Sequence, residues 1–156
     1  MSNELIRLLK KLNIIYRGPV NLKNAGTSNF YVDVKKAYGY SDALNKISKE
    51  LWKKIDKKVT CIVAAGYGDL VPAAVISSKY NLHLTLVRDE PKKHGKGGWI
   101  DGYIPNEQDR IAIVDDVFTT GGSLRNIVQV LELTRAKILG CYVVIRRGDE
   151  KLQGFL

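Results

Sequence analysis

The sequence lacks the features that mark extracellular and membrane proteins. It contains only two cysteines among 156 residues, and no apolar run approaches the length that spans a membrane. The first residues, MSNELIRLLKKLN, show no signal-peptide pattern, so we expect a cytoplasmic protein without membrane contact. Cys61 and Cys141 each lie in an apolar run without further metal ligands nearby, which predicts two buried thiols. Repeats, low-complexity tracts and linkers are absent too, so we expect one domain over residues 1–156.

Acidic side chains are the minority among the charged residues. Sixteen Asp and Glu stand against 25 Lys and Arg, and the resulting net charge of +9 favours anionic partners. Charge alone leaves both a nucleic-acid binder and an enzyme for phosphorylated substrates open. The basic residues are scattered in pairs, with no helix-turn-helix or basic-aromatic strip, which argues against nucleic acid.

Short apolar runs alternate with helical patterns along most of the chain. The patterns predict helices at Ser2–Leu12, Ser41–Ile55 and Val71–Tyr80, and strands at Phe30–Val34, Thr60–Ala65, Leu82–Val87, Ile111–Val114 and Ala136–Ile145. This alternation is typical of an α/β fold. We therefore expect an open, mainly parallel sheet flanked by helices.

The stretch RIAIVDDVFTTGGSL, residues 110–124, is the most informative part of the chain. Asp115 and Asp116 follow a strand pattern, and their carboxylates can accept hydrogen bonds from sugar hydroxyls. A small-residue turn and a helix pattern come next, and free backbone N–H groups at such a helix start favour a phosphate. We expect a ribose 5-phosphate site, with the phosphate held by Thr119, Thr120, Gly121, Gly122 and Ser123. The P-loop signature is missing, and a plain βα turn is the alternative.

Two further loops follow predicted parallel strands, where ligands collect in open α/β sheets. Gly66, Tyr67 and Gly68 could offer backbone N–H groups to a second phosphate, although a plain tight turn fits equally well. Residues 88–103, RDEPKKHGKGGWIDGY, have four glycines and no apolar period. This segment predicts a mobile basic loop that closes over a diphosphate, with a solvated charge run as the alternative.

Several of these motifs resemble one enzyme family. The order of strand, paired Asp, Thr-Thr-Gly-Gly-Ser and helix resembles the phosphoribosyl pyrophosphate (PRPP) motif of type I phosphoribosyltransferases. VNLKNAGTSNFYVDVK resembles the N-terminal segment of orotate phosphoribosyltransferases, with matches at Lys23, Ser28, Phe30, Tyr31 and Asp33. VRDEPKKHGKGGWIDG resembles their flexible catalytic loop through Arg88, Lys92 and His94, and VVIRRG resembles the strand end that carries the base-reading arginine, here Arg147.

The resemblance implies a fold, a reaction and a set of roles. The fold would be type I phosphoribosyltransferase-like, with an N-terminal hood over residues 1–38 and the flexible loop at 88–103. Orotate would displace diphosphate from Mg²⁺-bound PRPP, giving orotidine 5′-monophosphate in pyrimidine nucleotide biosynthesis. Catalysis would fall to Arg88, Lys92 and His94, and orotate binding to Lys23, Phe30, Tyr31, Thr119 and Arg147. Substrate oxygens and water would hold Mg²⁺ without a protein metal ligand, and a homodimer would share the loop between subunits.

Two positions depart from the family pattern. Asp69 and Asp89 stand where many members carry lysine. The two carboxylates are expected to weaken PRPP binding unless Lys93, Lys96 or Mg²⁺ compensates. They leave open a regulator that senses PRPP or a nucleotide without turnover, and a transferase for another base is the second alternative. Lys23 and Arg147 favour an anionic pyrimidine.

Overall fold

The computed structural model describes residues 2–22, 26–92, 98–119 and 121–146. Within these ranges the chain forms five helices and seven strands. The helices are α1 (Asn3–Lys11), α2 (Val34–Tyr38), α3 (Ser41–Lys54), α4 (Tyr67–Tyr80) and α5 (Gly122–Glu132). The strands are β1 (Ile15–Leu22), β2 (Gly26–Val32), β3 (Cys61–Ala64), β4 (His83–Lys92), β5 (Gly98–Gly102), β6 (Arg110–Phe118) and β7 (Lys137–Arg146). No helix in the described ranges is both long and apolar enough to cross a membrane.

The main sheet has five strands in the order β5-β4-β3-β6-β7. Strands β4, β3, β6 and β7 run parallel, while β5 pairs with β4 in the antiparallel sense. Strands β1 and β2 form a separate antiparallel hairpin. The open, mainly parallel sheet that the sequence predicts is therefore confirmed.

Helices cover both faces of this sheet, and successive residues of β3 point to opposite sides. Ile62 and Ala64 pack into the core under α1, α3 and α4, whereas Cys61 and Val63 pack into the core under α5. All four residues of β3 are buried, as expected for a central strand. Both cysteines are free thiols, and burial raises the pKa of Cys61 to about 11 and that of Cys141 to about 12.

Helix α4 begins earlier than the sequence predicts. Residues 66–69 were expected to form a loop, but the helix starts at Tyr67, and the Leu70 N–H donates to the Gly66 carbonyl at 3.1 Å. Pro72 consequently lies inside the helix rather than in its first turn. The cause is Gly66, whose φ of 90° turns the chain directly from β3 into the helix. Two glycines and an aspartate in this segment have low helix propensity, so the sequence pattern did not predict the first turn of α4.

The N-terminal hairpin and its surroundings also differ from expectation. Strand β2 begins at Gly26 instead of residue 30, and Val34 starts a helix instead of ending a strand. Asp33 explains the change, because its Oδ1 accepts the Lys36 N–H at 3.2 Å and caps α2. Two helix starts behave differently: Ser2 caps α1 as expected, whereas Ser41 is the first residue of α3 and not its cap.

Strands replace most of the loop expected at residues 88–103. Strand β4 continues to Lys92 and pairs with β5, with Val87 opposite Ile100 and Lys92 opposite Gly98. The expectation of an irregular loop is therefore wrong for residues 88–92 and 98–102, and residues 93–97 lie outside the described ranges. These residues are rich in glycine and charge, so they lack the apolar pattern by which strands are predicted. Antiparallel pairing with the neighbouring strand, rather than burial, keeps them extended.

Candidate active site

The strand order reverses between β3 and β6. Strand β3 leads through α4 to β4 on one side, and β6 leads through α5 to β7 on the other. The carboxyl ends of β3 and β6 are neighbours, since Val63 pairs with Ile113. Such a reversal opens a crevice between the two loops, which is where open α/β sheets bind ligands. The acidic pair and the glycine turn predicted from the sequence both lie at this crevice.

The end of β6 extends beyond the predicted strand. Asp115 and Asp116 lie inside it instead of following it, because β6 stays paired with β7 as far as Phe118 opposite Arg146. A third carboxylate, that of Asp69 in the first turn of α4, joins them. Oxygen atoms of the three side chains lie within 4.8 Å of one another, and we call these three residues the acidic cluster.

Asp69 is the buried member of the acidic cluster, with only 7% of its surface exposed. Its Oδ1 accepts the Asp116 N–H at 3.0 Å, so the side chain ties α4 to β6. Burial and the charge of Asp115 raise the pKa of Asp69 to about 8. Burial and Asp116 also raise the pKa of Asp115. Each carboxylate of the cluster therefore disfavours the ionisation of its neighbour.

Helix α2 supplies a cation to the acidic cluster. Lys35 Nζ lies 3.2 Å from Asp116 Oδ2. Burial by itself lowers the pKa of Lys35, but the charge and hydrogen bond of Asp116 outweigh it, so the pKa is raised. Tyr38 of the same helix has a buried hydroxyl without a hydrogen-bond partner in the described residues, and burial together with the cluster raises its pKa.

Gly68 allows the close approach of β6 to α4. A Cβ atom at this position would overlap the Asp116 carboxylate and lie 3.1 Å from Lys35 Cε. Any other side chain would therefore have to displace Asp116. That Gly68 offers its backbone N–H to a phosphate stays a prediction.

Two helix starts face the crevice, and a glycine with positive φ precedes each. Gly121, with φ of 77°, precedes α5, and Gly66, with φ of 90°, precedes α4. Because glycine has no side chain, neither helix has a side-chain cap at this position. The first N–H groups of α5, from Gly122 and Ser123, are thus available to an anion. Thr119 lies in the turn before them, and Thr120 is outside the described residues.

The predicted catalytic residues lie on the β4–β5 ribbon or beyond it. Arg88 Nη1 pairs with Asp101 Oδ2 at 2.5 Å across the two strands, and about 40% of each side chain is exposed. Lys92 is the last residue of β4, but its side chain and the whole of His94 lie outside the described atoms, as do Lys93 and Lys96. Asp89 is exposed on the same strand.

The predicted orotate-binding residues are only partly described. Tyr31 is half-buried on β2. Phe30 is described through its backbone in β2. Lys23, the Ser28 side chain and Arg147 lie outside the described atoms, with Arg147 following the last residue of β7. His83 is at the opposite end of β4 and stacks on Tyr103, with ring centroids 3.8 Å apart.

Three side chains at the crevice went unrecognised as parts of the site. Asp69 was noted only as an unfavourable departure, while Lys35 and Tyr38 were not singled out. The sequence carried a weak signal for these two, since both follow the Asp33 cap within one short helix. Their contact with β6 depends on how α2 packs, which no local pattern reports.

Comparison with known proteins places this geometry in a family. Residues 34–153 match the phosphoribosyl transferase domain family. The chain is 31% identical over 152 residues to the orotate phosphoribosyltransferase of Pyrococcus furiosus, covering 96% of this chain and 83% of that protein. It is 33% identical over 151 residues to the orotate phosphoribosyltransferase of Thermococcus kodakarensis, covering 95% and 81%. The solved orotate phosphoribosyltransferase of Aeropyrum pernix shares the fold, with a TM-score of 0.75 at 22% identity over 91% of this chain and 93% of that one. The chain thus belongs to the phosphoribosyltransferase family, among the orotate phosphoribosyltransferases.

Proposed function

We propose that this chain transfers ribose 5-phosphate from PRPP to orotate, giving orotidine 5′-monophosphate and diphosphate. The observation that carries the proposal is the crevice between β3 and β6. There, the paired carboxylates of Asp115 and Asp116 lie beside an uncapped helix start, in a chain about 30% identical to orotate phosphoribosyltransferases. One element suits the ribose hydroxyls and the other suits the 5′-phosphate.

The start of α5 is the proposed 5′-phosphate site. The N–H groups of Gly122 and Ser123 lack intrahelical acceptors, and the helix dipole favours a dianion there. Thr119 and Thr120 would add hydroxyl donors from the preceding turn. Asp115 and Asp116 would accept the ribose hydroxyls, and this orients the anomeric carbon towards the open side of the crevice.

The reaction needs little covalent chemistry from the protein. The bond from the anomeric carbon to diphosphate breaks as the orotate nitrogen bonds to the same carbon, and positive charge develops on the ribose. Catalysis then consists of positioning the reactants and stabilising charge on the departing diphosphate. Arg88, Lys92 and His94 would supply that charge. Arg88 has to leave Asp101 to do so, which is inexpensive because the pair is well exposed.

The hairpin and the end of β7 are the proposed orotate site. Tyr31 and Phe30 would pack against the pyrimidine ring from β2, while Lys23 and Arg147 would pair with the orotate carboxylate. Thr119 would contact the base from the phosphate side. Tyr31 lies on the hairpin, and Arg147 follows the main-sheet strand β7 in the sequence, so binding the base between them would join the hairpin to the main sheet.

Magnesium is the cofactor that we assign to PRPP. The acidic cluster offers hard oxygen donors, but Lys35 already pairs with Asp116, and Asp69 is buried and accepts the Asp116 N–H. These groups suit ribose hydroxyls and metal-bound water better than direct coordination. Mg²⁺ would therefore be held by substrate oxygens and water, in line with its reluctance to lose its hydration shell. Once bound, it neutralises charge on the diphosphate.

The deciding experiment follows the ultraviolet absorbance of orotate after addition of PRPP and Mg²⁺, with a Lys92→Ala variant as the control. Absorbance should fall with the wild-type chain and stay constant with the variant. Absence of turnover at any Mg²⁺ concentration, with PRPP still raising the melting temperature, would contradict the enzyme. That outcome would support the second candidate function, a PRPP-sensing regulator, which the acidic cluster and the engaged Arg88 favour.

Assembly and location complete the proposal. The two free thiols fit the reducing cytoplasm, which is where we expect the protein. We also expect a homodimer in which the segment after β4 reaches the partner subunit's crevice. Mixing the inactive variants Lys92→Ala and Asp115→Ala should restore activity, because mixed dimers contain one intact composite site. No recovery after subunit exchange would contradict the shared site.

A further inference from the structure

Helix α2 directs a single cation into the acidic cluster. Lys35 Nζ lies 3.2 Å from Asp116 Oδ2, and the Asp116 side chain is only 15% exposed while that of Lys35 is 54% exposed. The Lys35 stem also lines the space that Gly68 leaves open, since a Cβ atom there would lie 3.1 Å from Lys35 Cε. The contact is therefore part of the close packing between α2, α4 and β6.

The charges around Asp116 explain why a cation is needed at this place. Asp69 and Asp115 have oxygen atoms within 4.8 Å of the Asp116 carboxylate, and like charges this close repel strongly in a partly buried site. The Asp116 backbone N–H is already bonded to Asp69, which brings the acidic side chain nearer. Lys35 is the cation paired with the cluster among the described residues. Without it, we expect the Asp116 side chain to turn towards solvent.

We propose that Lys35 is a positioning residue of the PRPP site: it holds Asp116 in the orientation that accepts the ribose hydroxyls. This inference rests on the proposed function. Lys35 balances part of the negative charge that the acidic cluster brings together, through its contact with Asp116.

The rest of α2 makes Lys35 a well-placed anchor. Asp33 caps the helix, and Val34 and Ala37 are buried beneath it. Lys36 is the next residue of the same helix, but its Nζ lies near the Asn13 carbonyl, at 3.5 Å, and away from the cluster. It provides a matched control for the removal of one lysine from this helix.

The experiment compares steady-state kinetics of Lys35→Met, Lys35→Arg and Lys36→Met with the wild-type chain. Lys35→Met should raise the KM for PRPP about tenfold, as expected for loss of a charge-assisted contact, with kcat and the melting temperature nearly unchanged. Lys35→Arg should restore most of the affinity, since an exposed side chain has room for a guanidinium. Lys36→Met should behave like the wild type.

A double-mutant cycle with Asp116→Asn separates positioning from general stabilisation. Lys35→Met should cost little further in the Asp116→Asn background, because the two residues act through one contact. Equal losses in both backgrounds would overturn the inference, as would a KM for PRPP unchanged by Lys35→Met. An inactive wild-type chain would instead refute the proposed function, so the two failures are distinguishable.

Discussion

The two helix starts at the crevice share a plan and differ in charge. Each follows a parallel strand and a glycine with positive φ, so each directs free N–H groups towards the ligand. The start of α5 has no acidic residue in its first turn, whereas the start of α4 carries Asp69 and faces the rest of the acidic cluster. Under the proposed function we expect these similar backbones to take different ligands: the 5′-phosphate at α5, and at α4 a diphosphate whose charge Mg²⁺ has reduced.

The largest effect is expected from Gly68→Ala. The new Cβ atom would overlap the Asp116 carboxylate, so Asp116 has to leave the ribose hydroxyls. We expect kcat/KM for PRPP to fall on the order of a hundredfold, as for a displaced positioning group. Steady-state kinetics and circular dichroism test this, and full activity in a folded variant would refute the placement of Asp116.

Gly121→Ala and Gly66→Ala test the difference between the two helix starts, because each glycine precedes one of them. Both residues have positive φ, so each variant should lose about 1–2 kcal/mol of unfolding free energy. Gly121→Ala should also weaken PRPP binding about tenfold, because the new Cβ would lie 3.2 Å from Phe118 and distort the start of α5. Gly66→Ala should weaken it less, because a Cβ there meets no atom within 4 Å. Urea unfolding and PRPP titration measure the two effects, and equal affinity losses would remove the distinction between the helix starts.

Asp69→Asn tests the helix start that carries the acidic residue, that of α4, through the pH dependence of stability. The pKa of Asp69 is about 8 in the folded chain against a usual 3.8, so the folded state binds more protons between these values. Wild-type stability should therefore decline as pH rises from about 4 to 8, by at most a few kcal/mol from this group. Asp69→Asn should flatten that decline and, above pH 8 where the Asp69 carboxyl is charged, lower the KM for PRPP severalfold. Unfolding at pH 6 and pH 9 checks this, and parallel pH profiles would contradict it.

The smallest effect is expected from Asp101→Asn on the β4–β5 ribbon. Arg88 loses a partner, but both side chains are about 40% exposed, so the unfolding free energy should change by less than about 1 kcal/mol. Because Arg88 no longer pairs with Asp101, it can contact the diphosphate more readily, and kcat/KM should rise about twofold. A large drop in activity would mean that the ion pair itself belongs to the working site.

The sequence predicted those parts of the molecule that local patterns determine. The buried runs at β3, β6 and β7 follow from continuous apolar residues, and the glycine turn before α5 follows from its composition. Strand β5 was missed because Gly98 and Gly102 have low strand propensity, and only pairing with β4 keeps the segment extended. The early start of α4 was missed because Gly66 and Gly68 suggest a loop.

Local sequence patterns could not predict the contacts of the acidic cluster, for a different reason. Lys35 and Asp116 are far apart in the chain, and their ion pair depends on the packing of α2 against α4 and β6. Asp69 illustrates the same limit. In the sequence, Asp69 stands where many family members carry lysine, so it suggests weaker PRPP binding. In the fold, its Oδ1 accepts the Asp116 N–H.

The hairpin of β1 and β2 has a consequence for engineering. Its strands pair with each other and form a sheet of their own, and the Asp33 N–H donates to the Ile14 carbonyl at 2.7 Å where the hairpin begins and ends. The two junctions of the hairpin are therefore one hydrogen bond apart. We expect that a hairpin of another composition can replace residues 15–31, with Val32 kept in the core, without shifting α1 or α2. Under the proposed function, this exchange would change the base preference and leave the ribose-phosphate site in place.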